Sequence, residues 1–196
     1  LVLLDNSAFL LKKDMMIDLG GIAKGFAVDV CFQKLKMSGA SNIMINLGGN
    51  IRCGGFSRPD VPWKIGVRNP FDKNKIIGTL VLTAGRAVAT SGNYERFRVI
   101  NGKNYSHIMD PVSGHPVEGM AGVTVIASSA VEADALSTSF FITGIEKAGD
   151  LLKKFPDCHV IMIPDRKPLT IHIDKGAGEV FVPLPEYAGS VYSLPL

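Results

Sequence analysis

The sequence has little excess charge and no long hydrophobic run, and each shortage excludes a class of protein. Its 21 Lys and Arg residues against 18 Asp and Glu residues give a net charge of +3. This surplus is small and evenly spread, which argues against binding to nucleic acid or to a membrane surface. No apolar run reaches the roughly 18 residues of a membrane-spanning helix, and no repeat or low-complexity segment occurs. A length of 196 residues fits one domain, 1–196.

Cysteine is also scarce, with only Cys31, Cys53 and Cys158 far apart in the chain. No CxxC pair and no His at zinc-finger spacing accompany them, which argues against a structural zinc site. One disulfide stays possible, but three mostly buried free thiols are favoured. The chain starts at Leu1 without a Met or a basic, apolar and small leader, so we expect any signal peptide to lie outside this sequence.

Hydrophobic periodicity predicts a long amphipathic helix in the first quarter of the chain. A glycine turn precedes it and Gly39 is a suitable stop, so the predicted helix spans 22–37. The apolar residues that recur at helical spacing within it are Ile22, Phe26, Val30 and Leu35.

A second helix is predicted from Ser129, because Ser129 and Glu132 fit the S-x-x-E capping box. It runs to about residue 142, pauses at Gly144 and resumes through Lys154. Strands are predicted at 1–4, 8–11, 43–45, 63–67, 78–82, 87–90, 97–100, 105–109, 123–127 and 159–163. Many strands and a few long helices, without regular alternation, favour an α+β fold.

Four segments carry more small and polar residues than packing explains. In the first, Asp18 and the Gly20-Gly21 turn precede a helix whose first turn contains Lys24. Free amides at the helix start and the Lys24 ammonium could hold a phosphate or pyrophosphate. The segment is neither a GxGxxG nor a P-loop motif, so taken alone an ordinary glycine turn is favoured.

The second segment, Asn46-Leu47-Gly48-Gly49-Asn50, follows a predicted strand. Its glycines permit positive φ or the close approach of a ligand. Taken alone, a hairpin turn is the favoured interpretation.

The third segment contains Ser91, His107 and Asp110. A hydrolase triad is disfavoured because the Ser91 region lacks the G-x-S-x-G elbow and an oxyanion-hole motif. His107 remains a candidate acid–base residue, with a structural histidine as the alternative.

The fourth segment places Asp134 and Thr138 four residues apart, so both oxygens project from one helical face. A carboxylate and a hydroxyl form a hard-oxygen set that suits Mg²⁺. The alternative is that Thr138 bonds to its own helix carbonyl while Asp134 lies in water.

Taken together, these segments resemble the ApbE family of FAD:protein FMN transferases in content and in order. The resemblance covers nearly the whole chain. Its most specific parts are 18–25, 46–50, 89–92, 106–111 and 133–138, the last reading Ala-Asp-Ala-Leu-Ser-Thr. It implies an α+β, T-fold-like architecture of mixed, mainly antiparallel sheets packed with a few long helices.

The resemblance further implies a Mg²⁺-dependent enzyme that transfers FMN from FAD to a threonine hydroxyl of an acceptor protein and releases AMP. The same residues would serve an FAD pyrophosphatase that yields FMN and AMP. A non-catalytic FAD-binding module is the alternative from another functional class.

Site residues carry over position by position from the family. The implied FAD contacts are Asp18, Lys24 and the backbone of Ile108, and Ser91 shapes the same pocket. The implied metal ligands are the Gly21 carbonyl, Asp134 and Thr138. Some members have Asp at the position of Ser137, so the fourth ligand implied there is weaker or absent in this chain. His107 is the residue expected to assist proton removal from the acceptor threonine.

Family members are normally longer, so the sequence is expected to represent their C-terminal two-thirds, without an N-terminal part that lines the flavin. The implied location is the periplasmic side of the bacterial inner membrane, with any lipid anchor outside this sequence. The implied acceptors are flavoprotein subunits of respiratory redox complexes.

Overall fold

The computed structural model describes residues 1–82, 85–94, 97–100 and 103–195, with backbone only for 97–100 and 103–105. The chain begins with a short hairpin and a long helix, followed by a run of strands. These elements are β1 (Val2–Leu4), β2 (Ser7–Phe9), α1 (Ala23–Met37), β3 (Ile43–Leu47), β4 (Asn50–Gly54), β5 (Trp63–Asn69), β6 (Asp72–Leu82), β7 (Ala87–Gly92), β8 (Phe97–Ile100), β9 (Lys103–Ser106) and β10 (Met120–Ala127).

The rest of the chain alternates helices with shorter strands. These elements are α2 (Ala130–Thr143), α3 (Ala148–Lys154), β11 (His159–Pro164), β12 (Ile171–Ile173), α4 (Lys175–Val180), β13 (Phe181–Pro183), a 3-10 helix (Pro185–Ser190) and β14 (Val191–Ser193). None of the helices found in the described parts of the chain is long and apolar enough to cross a membrane.

A seven-stranded sheet forms the centre of the molecule, in the order β14-β12-β11-β10-β7-β4-β3. Its strand pairs are antiparallel except β12 with β14. The central strand β10 is buried at all of its positions. Such a continuous apolar strand is expected where both faces of a sheet are covered.

Each face of this sheet has its own hydrophobic core. Helices α1 and α2 pack on one face, where Ala87, Ala89 and Val125 belong to the helix-side core. The three-stranded sheet β13-β6-β5 covers the other face, and there Val88 and Ile126 join the core between the sheets. The period-2 alternation of strand side chains produces this division.

The predicted α+β class with mainly antiparallel sheets is confirmed. The second helix is confirmed from its capped start to its break at Gly144 and its continuation as α3. The sequence analysis did not predict β4 or the short helix α4.

The first helix is confirmed as α1, but the residues that indicated it are not those that it buries. Gly25, Val28 and Phe32 are its buried positions. The apolar residues of the predicted stripe are all exposed, at 41% for Ile22, 62% for Phe26, 37% for Val30 and 44% for Leu35. The buried face is narrow because α1 approaches α2 through a glycine.

The predicted strand at 105–109 ends early. β9 stops at Ser106, whose hydroxyl oxygen accepts a hydrogen bond from the Ile108 N–H at 3.1 Å. This local turn ends the strand, so His107 follows it rather than lying within it.

Candidate functional site

The site is assembled around the first turns of α2, which follows the buried strand β10. Ser129 caps this helix and its side chain accepts from the Glu132 N–H at 3.3 Å. The Glu132 carboxylate accepts from the Ser128 hydroxyl at 3.0 Å. The cap therefore forms as the S-x-x-E pattern predicts, while the glutamate bonds one residue further upstream than a reciprocal capping box requires.

A second cap for α2 comes from α1. The Asp29 carboxylate accepts hydrogen bonds from the backbone N–H groups of Ala130 and Val131, both at 2.9 Å. It also pairs with the guanidinium of Arg52 on β4, which packs over the Phe32 ring. Asp29 cannot be recognised from the sequence pattern, because the residues that it joins are far apart in the chain.

Gly25 allows α1 and α2 to touch at the site. A Cβ there would lie 2.2 Å from the Ala130 carbonyl oxygen, so a larger residue would separate the two helices. At this contact the Gly25 N–H donates to Asp134 Oδ2 at 2.9 Å. Gly25 belongs to the 18–25 motif, but the sequence pattern does not predict this contact.

Asp134, which accepts this bond, is a buried carboxylate with 4% of its surface exposed. Its second oxygen, Oδ1, lies 3.7 Å from Lys24 Nζ, and the Lys24 side chain remains 46% exposed. The expectation that Asp134 might simply lie in water is therefore wrong. A buried carboxylate that faces a half-exposed ammonium group is a site where a cation can bind.

Three hydroxyl groups adjoin this carboxylate residue. Ser91 Oγ lies 2.9 Å from Ser137 Oγ and 3.2 Å from Thr138 Oγ1. The Ser137 hydroxyl also donates to the Asp134 carbonyl oxygen at 2.9 Å. Gly21 lies against the same group, because a Cβ there would be 3.7 Å from Thr138 Oγ1.

The structure thus brings six predicted site residues together, and their chemistry suits a hard cation. We call them the oxygen cluster: Gly21, Lys24, Ser91, Asp134, Ser137 and Thr138. In the described part of the chain no group of three His, Cys, Asp or Glu residues could hold a metal. One carboxylate with hydroxyl and carbonyl oxygens matches Mg²⁺, which keeps several waters and binds substrate phosphates. The cluster therefore fits that ion better than Zn²⁺ or Fe²⁺.

The sequence expectation of free amides before α1 is met only in part, because three of these N–H groups have partners within the chain. The Ile22 and Ala23 N–H groups both donate to the Leu19 carbonyl oxygen. The Gly20 N–H donates to Asp18 Oδ1 at 2.6 Å. With these amides committed within the chain, the Lys24 ammonium is the stronger candidate for binding an anion.

In the third segment, Asp110 holds a local turn by accepting hydrogen bonds. Asp110 accepts from the Val112 N–H and from the Ser113 hydroxyl, and these bonds hold its pKa below the usual value. Ile108 lies in the helix-side core, and its carbonyl oxygen accepts from the Val117 N–H. His107 is exposed between two buried neighbours, and its role stays a prediction.

The Asn46–Asn50 segment is a hairpin turn, as favoured. Gly48 and Gly49 have φ of 58° and 94° and connect β3 to β4, as a two-residue hairpin requires. Asn50 is 2% exposed, and its Nδ2 has no hydrogen-bond partner among the described residues. This buried donor lies on β4, beside the strand that carries Ser91.

A cavity of about 670 Å³ lies on the opposite side of the central sheet and is lined by both sheets. Its polar lining includes Arg68, Thr90 and Thr124. No residue of the oxygen cluster lines it. On β7, Thr90 projects toward this cavity and Ser91 projects from the opposite face, toward the oxygen cluster.

Comparison with known proteins places this arrangement in a family. The model of the ApbE family matches residues 1–162. The chain is 32% identical over 142 residues to the FAD:protein FMN transferase of Escherichia coli strain K12, covering 72% of this chain and 40% of that protein. It is 36% identical over 168 residues to the protein of the same name from Treponema pallidum, covering 81% and 46% respectively.

Solved structures show the same fold. The ApbE protein of Thermotoga maritima superposes with a TM-score of 0.75 at 36% identity, over 84% of this chain and 53% of that one. The flavin transferase ApbE of Vibrio cholerae gives a TM-score of 0.71 at 32% identity, over 84% and 52%. The chain spans about half the length of the relatives it matches, against the two-thirds expected from the sequence. The chain belongs to the ApbE family.

Proposed function

We propose that this chain carries the metal and diphosphate part of an enzyme that transfers FMN from FAD to a threonine hydroxyl of an acceptor protein, with Mg²⁺ as cofactor. The observation that carries this proposal is the buried Asp134 carboxylate, which is placed between the Gly25 N–H and Lys24 Nζ on a residue whose carbonyl oxygen accepts from the Ser137 hydroxyl. The matched relatives named FAD:protein FMN transferase support the choice of reaction.

The reaction exchanges one phosphorus–oxygen bond for another. The threonine oxygen bonds to the phosphorus of the FMN moiety, the bond from that phosphorus to the bridging oxygen breaks, and AMP leaves. The threonine proton passes to a base. Such transfers depend mainly on alignment and on neutralising phosphate charge.

The chain's own residues supply the binding of that charge. Asp134, Thr138 and the Gly21 carbonyl would hold Mg²⁺, and the Ser137 hydroxyl adjoins them. Bound there, the ion would neutralise the diphosphate and stabilise charge on the AMP leaving group. Lys24 has a long, half-exposed side chain, so its ammonium can turn from Asp134 to a phosphate oxygen.

The remaining roles concern orientation and the proton. Asp18 and Ile108 lie on the segments that would contact FAD. His107 is exposed and would accept the threonine proton, because an imidazole nitrogen can act as a general base. The acceptor would be a flavoprotein subunit that carries the target threonine.

The test is intact-mass spectrometry of a threonine-bearing acceptor domain after incubation with this chain, FAD and Mg²⁺. The acceptor is expected to gain the mass of FMN less one water, and the gain should disappear with EDTA. Asp134→Asn should reduce the rate by at least about 100-fold, since it removes the cluster's only carboxylate. Glu132→Gln is the matched control, because it changes a carboxylate two residues away on the same helix.

Other products would contradict the transferase proposal in distinct ways. Free FMN and AMP without a modified acceptor would indicate an FAD pyrophosphatase. Bound FAD that is not cleaved would indicate a binding module. Equal rates for Asp134→Asn and Glu132→Gln would overturn the assignment of Asp134.

A further inference from the structure

Each of the three hydroxyl groups of the oxygen cluster has one proton, and this determines which group donates in each of their hydrogen bonds. A carbonyl oxygen can only accept, so Ser137 uses its one proton on the Asp134 carbonyl. In its contact with Ser137, Ser91 must then be the donor. This uses the Ser91 proton, so Thr138 must donate to Ser91.

We infer that Ser91 is a positioning residue that orients Thr138 for the cation, and that Ser137 serves here as the acceptor for Ser91 rather than as a metal ligand. This inference rests on the proposed Mg²⁺ site. The hydrogen bonds run from Thr138 to Ser91, from Ser91 to Ser137 and from Ser137 to the Asp134 carbonyl. We call this chain the hydroxyl relay.

The relay makes the two α2 hydroxyl groups unequal as ligands. Thr138 gives its proton to Ser91, so both lone pairs of its Oγ1 remain available to a cation. Ser137 donates one bond and accepts another, so a single lone pair remains. The ligand strength of Thr138 therefore depends on a hydroxyl supplied by β7.

The relay also ends on the residue that supplies the carboxylate. Asp134 accepts from Ser137 through its carbonyl oxygen and from Gly25 through Oδ2. Its Oδ1 faces only the half-exposed ammonium of Lys24 among the contacts that the structure describes. Outer hydrogen bonds of this kind fix the orientation of metal ligands, and losing one lowers metal affinity about 10- to 100-fold.

The test measures Mn²⁺ binding to the purified chain, by electron paramagnetic resonance and calorimetry, without FAD or acceptor. We expect Ser91→Ala to weaken Mn²⁺ binding about 10-fold and Ser91→Thr, which restores a hydroxyl, to recover most of it. Thr90→Val is the matched control. It removes a hydroxyl that pairs with Thr124 at 2.9 Å on the opposite face of the same strand, so Mn²⁺ affinity should not change.

Double variants separate a relay from a set of independent ligands. In a Thr138→Val background, Ser91→Ala should have little further effect on Mn²⁺ affinity, because Ser91 acts through Thr138. Ser137→Ala should weaken binding less in a Ser91→Ala background than in the native chain, because the part of its effect that passes through Ser91 is already lost and only its bond to the Asp134 carbonyl remains. If the Ser137→Ala effect is equally large in both backgrounds, Ser137 does not act through Ser91 and the relay is wrong.

Failure of this inference can be told apart from failure of the proposed function. If the native chain binds Mn²⁺ and Ser91→Ala binds it equally well, the relay is overturned and the metal site stands. If the native chain binds no Mn²⁺, the metal site and the relay are both overturned. If Mn²⁺ binding follows the relay but no acceptor is modified, the relay stands and the transferase proposal fails.

Discussion

A single glycine sets the distance between the two helices that form the site. At Gly25 a Cβ would lie 2.2 Å from the Ala130 carbonyl oxygen and 2.7 Å from Val131 Cα. Both are backbone atoms of a capped helix, so they cannot move aside as the end of a side chain could. The same glycine gives its N–H to Asp134. Helix packing and the geometry of the carboxylate are therefore coupled at this residue.

Gly25→Ala is expected to destabilise the fold and weaken the site together. Overpacking at a backbone contact costs about 1–3 kcal/mol, and the better helix propensity of alanine offsets only about 1 kcal/mol of that. Urea unfolding should show the loss of stability. Mn²⁺ binding should weaken in parallel, because α2 would move away from the Gly25 N–H.

Gly178→Ala is the control for this substitution. Gly178 also lies in a helix, but a Cβ there would meet only the end of the Ile173 side chain, at 3.5 Å. We expect this variant to be as stable as the native chain or slightly more stable. Equal unfolding free energies for the two variants would show that Gly25 does not limit the helix approach.

At the scale of elements, Asp29 joins two helices and a strand. It accepts two N–H groups of α2 and pairs with Arg52 on β4, and the Asp29 and Arg52 side chains are only 15% and 13% exposed. Negative charge at a helix N-terminus is favourable. A largely buried guanidinium that loses its partner is costly.

Asp29→Asn should therefore lower the free energy of unfolding by about 2–4 kcal/mol, because it leaves Arg52 without its countercharge. Chemical denaturation in urea measures this directly. Asp150→Asn removes a carboxylate from an exposed pair with Lys153 and should change stability by less than about 0.5 kcal/mol.

A further substitution tests why Asp29→Asn lowers the free energy of unfolding. Replacing Arg52 by Met in the Asp29→Asn chain removes the uncompensated charge, so part of the stability should return. If the double variant is no more stable than Asp29→Asn, the loss came from the cap on α2 rather than from the unpaired guanidinium.

The sequence predicts those elements whose determinants are local. The Ser129 cap, the Gly48-Gly49 hairpin and the break at Gly144 each depend on residues within a few positions, and the structure contains all three. The buried face of α1 could not be predicted, because Phe26 and Val28 are equally apolar and only the position of α2 decides between them.

Contacts between segments that are far apart in the sequence could not be predicted either. Asp29 reaches amides 101 and 102 residues away, and nothing near it in the chain distinguishes it from a solvated acidic residue. Likewise, Ser91 meets residues 46 and 47 positions further on. The family resemblance placed Ser91 in the pocket, but only the structure shows which hydroxyl groups it contacts.

At the scale of the whole molecule, the central sheet separates two cores, and each contains one buried cysteine. Cys53 lies in the core between the sheets and Cys158 in the helix-side core. Burial raises the pKa of the Cys53 thiol to about 11 and that of Cys158 to about 12. Cys31 is exposed on α1, and all three thiols are free, as the sequence favoured, although it expected Cys31 to be buried too.

Alkylation at pH 8 should therefore modify one thiol per native chain and three in urea. Only the thiolate reacts, and burial both excludes the reagent and disfavours the charged form of Cys53 and Cys158. Mass spectrometry after timed labelling identifies each site. Cys31→Ser should abolish the fast phase, and rapid labelling of Cys158 in the native chain would contradict the packing of the helix-side core.

The urea dependence of alkylation at Cys53 and Cys158 then tests whether the helix-side core and the core between the sheets unfold together. The strands β7 and β10 contribute side chains to both cores. Unfolding of one core would therefore expose strands that also pack in the other core. We expect Cys53 and Cys158 to become reactive with the same free energy and the same urea slope. If Cys158 reacted at lower urea than Cys53, the helix layer would open by itself. The oxygen cluster on α2 would then open before the sheets, and Mn²⁺ would protect Cys158 alone.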